Sequence, residues 1–445
     1  MSVDKIKEKK RKKLQKKKEE RMISYSQFFK RALCDRKIPL TTKSKRDHRV
    51  RDFLRMYKQR SPFEHHQRVI FTNTFMYGEG KLYAEHIKSL QEIGQKYHIY
   101  PVRSVMKLHS NWKSFKNKLQ YRSDKEIGLA CVPNGHKLYD LIIRQTAGMS
   151  TRRVRALGHA EYTKTKHELL RITQSNTVEE AARKCANGLV KSFESYAEVK
   201  SFVKNTIMRS LIRVCRKTFP RGNLHPREFP PIEVRKLRPG MSMAYYELPR
   251  STCKYPLGHP KHKGKVVVQI EDLHKVNVAE LTVLIAHEVF PGHFYQTAIH
   301  RTPPFIFANW FVEGWALYTE RVCDVFGPDY IAARLLMRLL RAARCIIDPA
   351  IHVDKLSMAQ AEKRFQKLVP HLSKQIRTSE LTRYVAIPGQ ACGYLPGACM
   401  FEKWARKYAG SDPKQLKRFH EQILSNGAGS VEYVRANLTR NVKRQ

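Results

Sequence analysis

Within residues 286–296, AHEVFPGHFYQ, the side chains of His287, Glu288 and His293 bring two imidazoles and a carboxylate into seven positions. Zinc is bound by His nitrogens and carboxylate oxygens, and a catalytic site keeps one position open for water. Helix-borne zinc histidines ordinarily stand four residues apart, but the place four after His287 holds Pro291. In an undistorted helix, six residues correspond to a rotation of about 240°, so His293 would point away from His287. Pro291 and Gly292 change that expectation. Proline disrupts the preceding turn and glycine admits unusual dihedrals, so the chain can kink and swing His293 back. The spacing permits a metal site without specifying one.

A third ligand is then needed, and FVEGWALYTERVCD, residues 311–324, offers Glu313. Glu313, Ala316, Leu317 and Glu320 share one helical face, and Asp324 extends it. With Glu313 as ligand, Glu320 or Asp324 would hold a ligand imidazole by its outer N–H, as such sites require. The same acids can instead pair with Arg321, Arg334 and the abundant lysines. The residues alone leave both readings open.

The elements that must position these groups are mostly helical. KGKVVVQIEDL (263–273) is the strongest strand pattern, short and β-branched. Its VVVQI run either offers an edge for an extended peptide or is an ordinary core strand. NVAELTVLIAHEVF (277–290) follows as a helix, with Asn277 as N-cap and Glu280 at the reciprocal capping position. The helix carrying Glu313 runs to a stop at Gly327–Pro328. Upstream, residues 62–235 show apolar positions recurring at three and four, the helical period. The fold expected is mostly α with a small β-sheet, an α+β arrangement. It divides into a basic, partly disordered tail (1–60), a helical region (61–235) and a site-bearing region (236–445).

HEVFPGH and EGWALYTE together resemble the family called domain of unknown function 885, with its HExxPGH and EGWAxYxE elements. That family is similar to gluzincin zinc peptidases. The resemblance runs from about residue 237 to 440 and includes RAARCIIDPAIHVDKLSMAQA (341–361), RYVAIPGQACGYLPG (383–397) and FHEQILSNG (419–427). It departs where Phe294 replaces a second His and where Asp348-Pro349-Ala350 replaces DTG. The resemblance implies a gluzincin-like architecture in which His287, His293 and Glu313 hold one zinc ion. Glu288 is then the general base of peptide hydrolysis, with His352 and Tyr394 as candidate oxyanion donors. Arg344, Arg383 and Tyr384 are candidate substrate-binding groups.

Composition adds a second reading. The chain has 85 Lys and Arg against 39 Asp and Glu, a net charge of +46, so an anionic partner is expected. The alternative to a peptidase is therefore a weak or inactive peptidase-fold protein whose basic surface binds nucleic acid, with no residues assigned to that contact. The scattered cysteines and an N-terminus without an apolar core suggest a reducing compartment, cytoplasm or nucleus, and no secretory signal. No apolar run approaches the roughly 20 residues of a membrane helix. If the basic N-terminal region binds a polyanion, affinity for duplex DNA should fall steeply with added salt. Filter binding should show most of that affinity lost on deletion of residues 1–60; a flat salt response would refute this reading.

Overall fold

The computed structural model describes residues 100–107, 111–220, 229–237, 244–247, 264–299, 309–426 and 430–442, with isolated positions between 87 and 95. The basic tail expected over residues 1–60 lies outside them. The described residues are mostly helical with a small sheet, as expected.

Lys265–Ile270 is the central strand of a three-stranded sheet, parallel to Ile232–Lys236 and antiparallel to Ala244–Glu247. Both its edges are taken and all but its first residue are buried, so VVVQI is a core strand and not a peptide-binding edge. Ala244–Glu247 occupies the outer position instead. A short antiparallel pairing of Val190–Lys191 with Val276–Asn277 ties the upstream helices to the start of the His-Glu helix, Val278–Glu288. Asn277 Oδ1 caps that helix by accepting from the Glu280 N–H at 2.9 Å, but the return bond expected from the Glu280 side chain is not made.

The boundary expected at residue 235 does not separate two cores. Phe193, Val199 and Leu211 from upstream pack in one apolar cluster with Ile232, Val266, Ile285, Trp315 and Leu438. Leu138, Ile142 and Val154 join Ala342, Cys345 and Leu395 in another. Both clusters are built partly on the long helix Pro328–Val353 or its neighbours, which starts after Gly327 at φ 109° with Pro328 in the first turn. Proline suits that position because the missing N–H would have no intrahelical partner.

Polar groups of the long helix bind distant segments to it. The Asp348 carboxylate accepts from the Tyr139 hydroxyl at 2.6 Å and from the Gly389 N–H at 3.0 Å. Burial pushes the Asp348 carboxyl up to about 7, against those donors, which favour the ionised form. An acid whose folded pKa is raised stabilises the fold fully below its unfolded pKa, and the contribution is lost as pH rises through the folded value. The stability difference between wild type and Asp348→Asn should therefore shift against wild type between about pH 4 and pH 7, at about 1.4 kcal/mol per pKa unit. Urea melts of both proteins across that range test it; a pH-independent difference would contradict it.

Candidate metal centre

The His-Glu helix ends at Glu288, and Val289 begins a reversal that runs through a cis Phe290–Pro291 bond to Gly292. Helical geometry resumes at His293 and continues as the π-helical turn Tyr295–Ile299. Gly292 is not in the left-handed region; its role is close approach. A Cβ there would lie 1.7 Å from the His287 carbonyl oxygen. The lack of a side chain, rather than an unusual dihedral, is what brings the chain back.

The reversal sets the His287 and His293 rings edge to face with centroids 4.9 Å apart. The helix Asn309–Thr319 delivers Glu313 between them: Oε2 stands 3.3 Å from His293 Nε2 and 3.7 Å from His287 Nε2. One donor atom from each of His287, His293 and Glu313 lies within 4.8 Å of the others. Trp315 Nε1, on the same helix, donates to the Pro291 carbonyl at 2.9 Å and locks the helix to the reversal.

Glu320 lies just beyond that helix, fully buried, and His287 Nδ1 donates to its Oε1 at 2.8 Å. That bond commits Nδ1 and leaves Nε2 facing Glu313 and His293, the arrangement a metal-binding imidazole requires. Asp324 does not share this task. It holds Arg334 through two hydrogen bonds of 2.6 and 3.1 Å, so of the two acids expected to orient an imidazole only Glu320 does so.

Electrostatics favour a cation here. Burial alone would lower the His287 pKa, but Glu313 and Glu320 overcome it and push it up to about 9. Burial alone would raise Glu313, but His293 and His287 hold its carboxyl well below the usual range. Glu313 Oε2 is nonetheless buried without a well-aligned hydrogen bond. Two imidazole nitrogens and an orphaned carboxylate oxygen form a donor set that fits zinc. Beside them, burial raises the Glu288 pKa, and Glu288 Oε2 accepts from the Tyr246 N–H at 2.8 Å.

Other expected site residues fall elsewhere in the chemistry. His352 accepts at Nδ1 from the Leu129 N–H and donates at Nε2 to the Tyr384 carbonyl, so neither nitrogen is available to an oxyanion. Burial lowers its pKa to about 3, keeping it neutral. The Tyr384 hydroxyl donates to Glu380 at 2.6 Å, which removes it as a free substrate contact. Arg344 and Arg383 also bind Glu380. Tyr394 does adjoin the centre, its ring stacked on His287 at 6.4 Å. The backbone N–H of Tyr246, the acceptor Glu380 and the cation Arg341 were not anticipated. Glu380 had a legible signal, sitting three and four residues before Arg383 and Tyr384 on one helix.

A family model described as "Bacterial protein of unknown function (DUF885)" matches residues 78–438. The chain belongs to this family. The match extends well upstream of residue 237, so the DUF885 unit includes the helical half, in keeping with the shared core. No curated protein matches the chain. Among solved structures, "the putative lipoprotein from Colwellia psychrerythraea" is 20% identical with a TM-score of 0.61, covering 93% of this chain and 78% of that one. "A putative lipoprotein of unknown function from Shewanella oneidensis" is 19% identical with a TM-score of 0.54, covering 87% and 72%. These likenesses show a shared fold. They also overturn the compartment expected from the sequence: both of these solved structures are described as putative lipoproteins, so cytoplasm or nucleus is not retained. No helix among the described residues is long and apolar enough to cross a membrane.

If the close approach at Gly292 sets the ligand geometry, Gly292→Ala should lose the metal while keeping its helical circular dichroism. Elemental analysis after dialysis against trace zinc should fall from about one ion per chain to near none. Retention of metal by the folded variant would refute this account of the turn.

Proposed function

We propose that this protein is a zinc-dependent peptidase of gluzincin-like architecture, with His287, His293 and Glu313 as the ligands of one zinc ion. The convergence of those three donor atoms beside a buried Glu288 is the observation that carries the reading. When bound, zinc supplies a Lewis acid that polarises a carbonyl and makes water a nucleophile at neutral pH.

Glu288 manages the proton. Its raised pKa makes it a stronger base than an exposed glutamate, and the Tyr246 N–H fixes one oxygen. Its Oε1 can then take a proton from water and deliver it to the leaving amine nitrogen, acting as base and then acid. Tyr246 belongs to the strand Ala244–Glu247, so the small sheet positions the group that holds Glu288. Burial raises the Tyr394 pKa, keeping its hydroxyl protonated as a donor to the developing oxyanion.

Purified protein should hold about one zinc per chain, and Glu288→Gln should keep that metal. The same substitution should cut cleavage of a peptide library by at least about 100-fold, the contribution typical of general acid–base catalysis. Zinc-loaded wild type that cleaves no member of a broad library would overturn the proposal.

A further inference from the structure

Beside Tyr394 the long helix presents Arg341 and Arg344, only 9% and 6% exposed. Their guanidinium carbons lie 5.9 and 4.9 Å from the centre of the Tyr394 ring. Arg383 is the third cation of the group, joined to Arg344 through Glu380. Glu380 already accepts from Arg344 twice, from Arg383 and from Tyr384, and makes no hydrogen bond to Arg341.

The hydrogen-bonding capacity of the two helix arginines is not met. Arg344 Nη1 and Arg341 Nε are buried without an acceptor, and the one bond made by Arg341 is from Nη1 to its own helix at Met337 O. Glu320 and Glu380 act on Arg341 through space without a hydrogen bond to it; Glu320 Oε1 is engaged by His287, and its Oε2 is buried without a partner. Buried guanidinium donors left unpaired are costly, so the spare donors of Arg341, which has no ion pair among the described residues, and of its neighbour Arg344 point to an anion that arrives from outside. A planar carboxylate matches the fork of guanidinium donors.

We infer that Arg341 and Arg344 form a subsite for a substrate carboxylate, which makes the enzyme selective for peptides cleaved close to that group. The inference rests on the peptidase reading of the neighbouring centre. The distance limits the product. The Arg344 guanidinium lies no farther from the His287 ring than the 6.4 and 4.9 Å stations across Tyr394 together allow. An extended chain covers such a span in about three residues at 3.3–3.6 Å each. The scissile bond therefore falls within about three residues of the anchored carboxylate. A free C-terminus there gives trimming from the chain end; an acidic side chain gives cleavage beside Asp or Glu.

The test is calorimetric titration of full-length Glu288→Gln protein with trialanine, trialanine amide and Ala-Glu-Ala amide. Trialanine should bind at least about tenfold more tightly than its amide, the effect of one charge-assisted hydrogen bond. Arg341→Gln in the same background should erase that preference, and Arg341→Lys should restore part of it. Recovery of affinity by Ala-Glu-Ala amide identifies a side-chain carboxylate as the ligand; no recovery identifies the C-terminus. Equal binding of acid and amide, no measurable trialanine binding, or a preference unchanged by Arg341→Gln would overturn the subsite. Zinc content of each preparation separates the two failures. A metal-free protein that still prefers the acid keeps the subsite and loses the hydrolase, whereas a zinc-loaded, cleaving wild type indifferent to the carboxylate loses only the subsite.

Discussion

At Gly292 the backbone of the reversal rests directly on the backbone of the helix it has just left, with no space for a side chain between them and His287. The rest of the centre depends on that contact. It lets the chain double back within a few residues, so His293 faces His287 across 4.9 Å instead of the far side of a continued helix. It also exposes the Pro291 carbonyl to Trp315, and that hydrogen bond registers the next helix against the turn. With Trp315 fixed, Glu313 two residues earlier and Glu320 five residues later reach the two sides of the same imidazole. One steric constraint thus sets three positions.

The charges around His287 explain why such packing has a functional consequence. Glu288, Glu313 and Glu320 are three carboxylates in a region largely removed from water. Buried like charges cost several kcal/mol unless opposite charge is supplied. Two imidazoles can supply some by protonation, and the upward shift of His287 reflects that demand. A divalent cation answers the same demand with more charge and with directed bonds. Proton and cation then compete for the same nitrogens, which is the ordinary coupling of metal affinity to pH. The Glu320 contact with Nδ1 does not compete, because it uses the nitrogen turned away from Glu313.

Much of this was readable in the residue order. The β-branched run at Lys265–Ile270 and the Asn277 cap reflect local rules and appear where those rules place them, whereas the α-helix carrying Glu313 ends at Thr319 and only a 3-10 continuation reaches the Gly327–Pro328 stop. His287, His293 and Glu313 were legible because residue type and spacing are properties of short segments. What could not be read depended on long-range packing. His352 looked available as a donor, but its partners Leu129 and Tyr384 are 223 and 32 residues away. Asp324 and Glu320 share a helical face in the sequence; only packing decides that Arg334 claims one and His287 the other. The shared cluster across residue 235 was illegible for the same reason, since Pro-rich composition reports a turn but not whether the residues on either side pack together.

A second close approach extends the logic of the first. Gly314 and Gly397 bring the helices Asn309–Thr319 and Tyr394–Tyr408 into backbone contact, with a Cβ on Gly314 falling 2.4 Å from the Gly397 Cα. Gly314 directly follows Glu313, and Gly397 lies three residues after Tyr394, so the same contact draws the acid and the phenol to one place. Tyr394 adjoins both sets: its ring stacks on His287, and the guanidinium carbons of Arg341 and Arg344 lie 5.9 and 4.9 Å from its centre. Acidic groups that attract a cation and basic groups that attract an anion thus share one aromatic neighbour in the same core, and Glu320 acts on Arg341 through space without a hydrogen bond between them. Had the two paired directly, neither would retain that unmet capacity for a ligand.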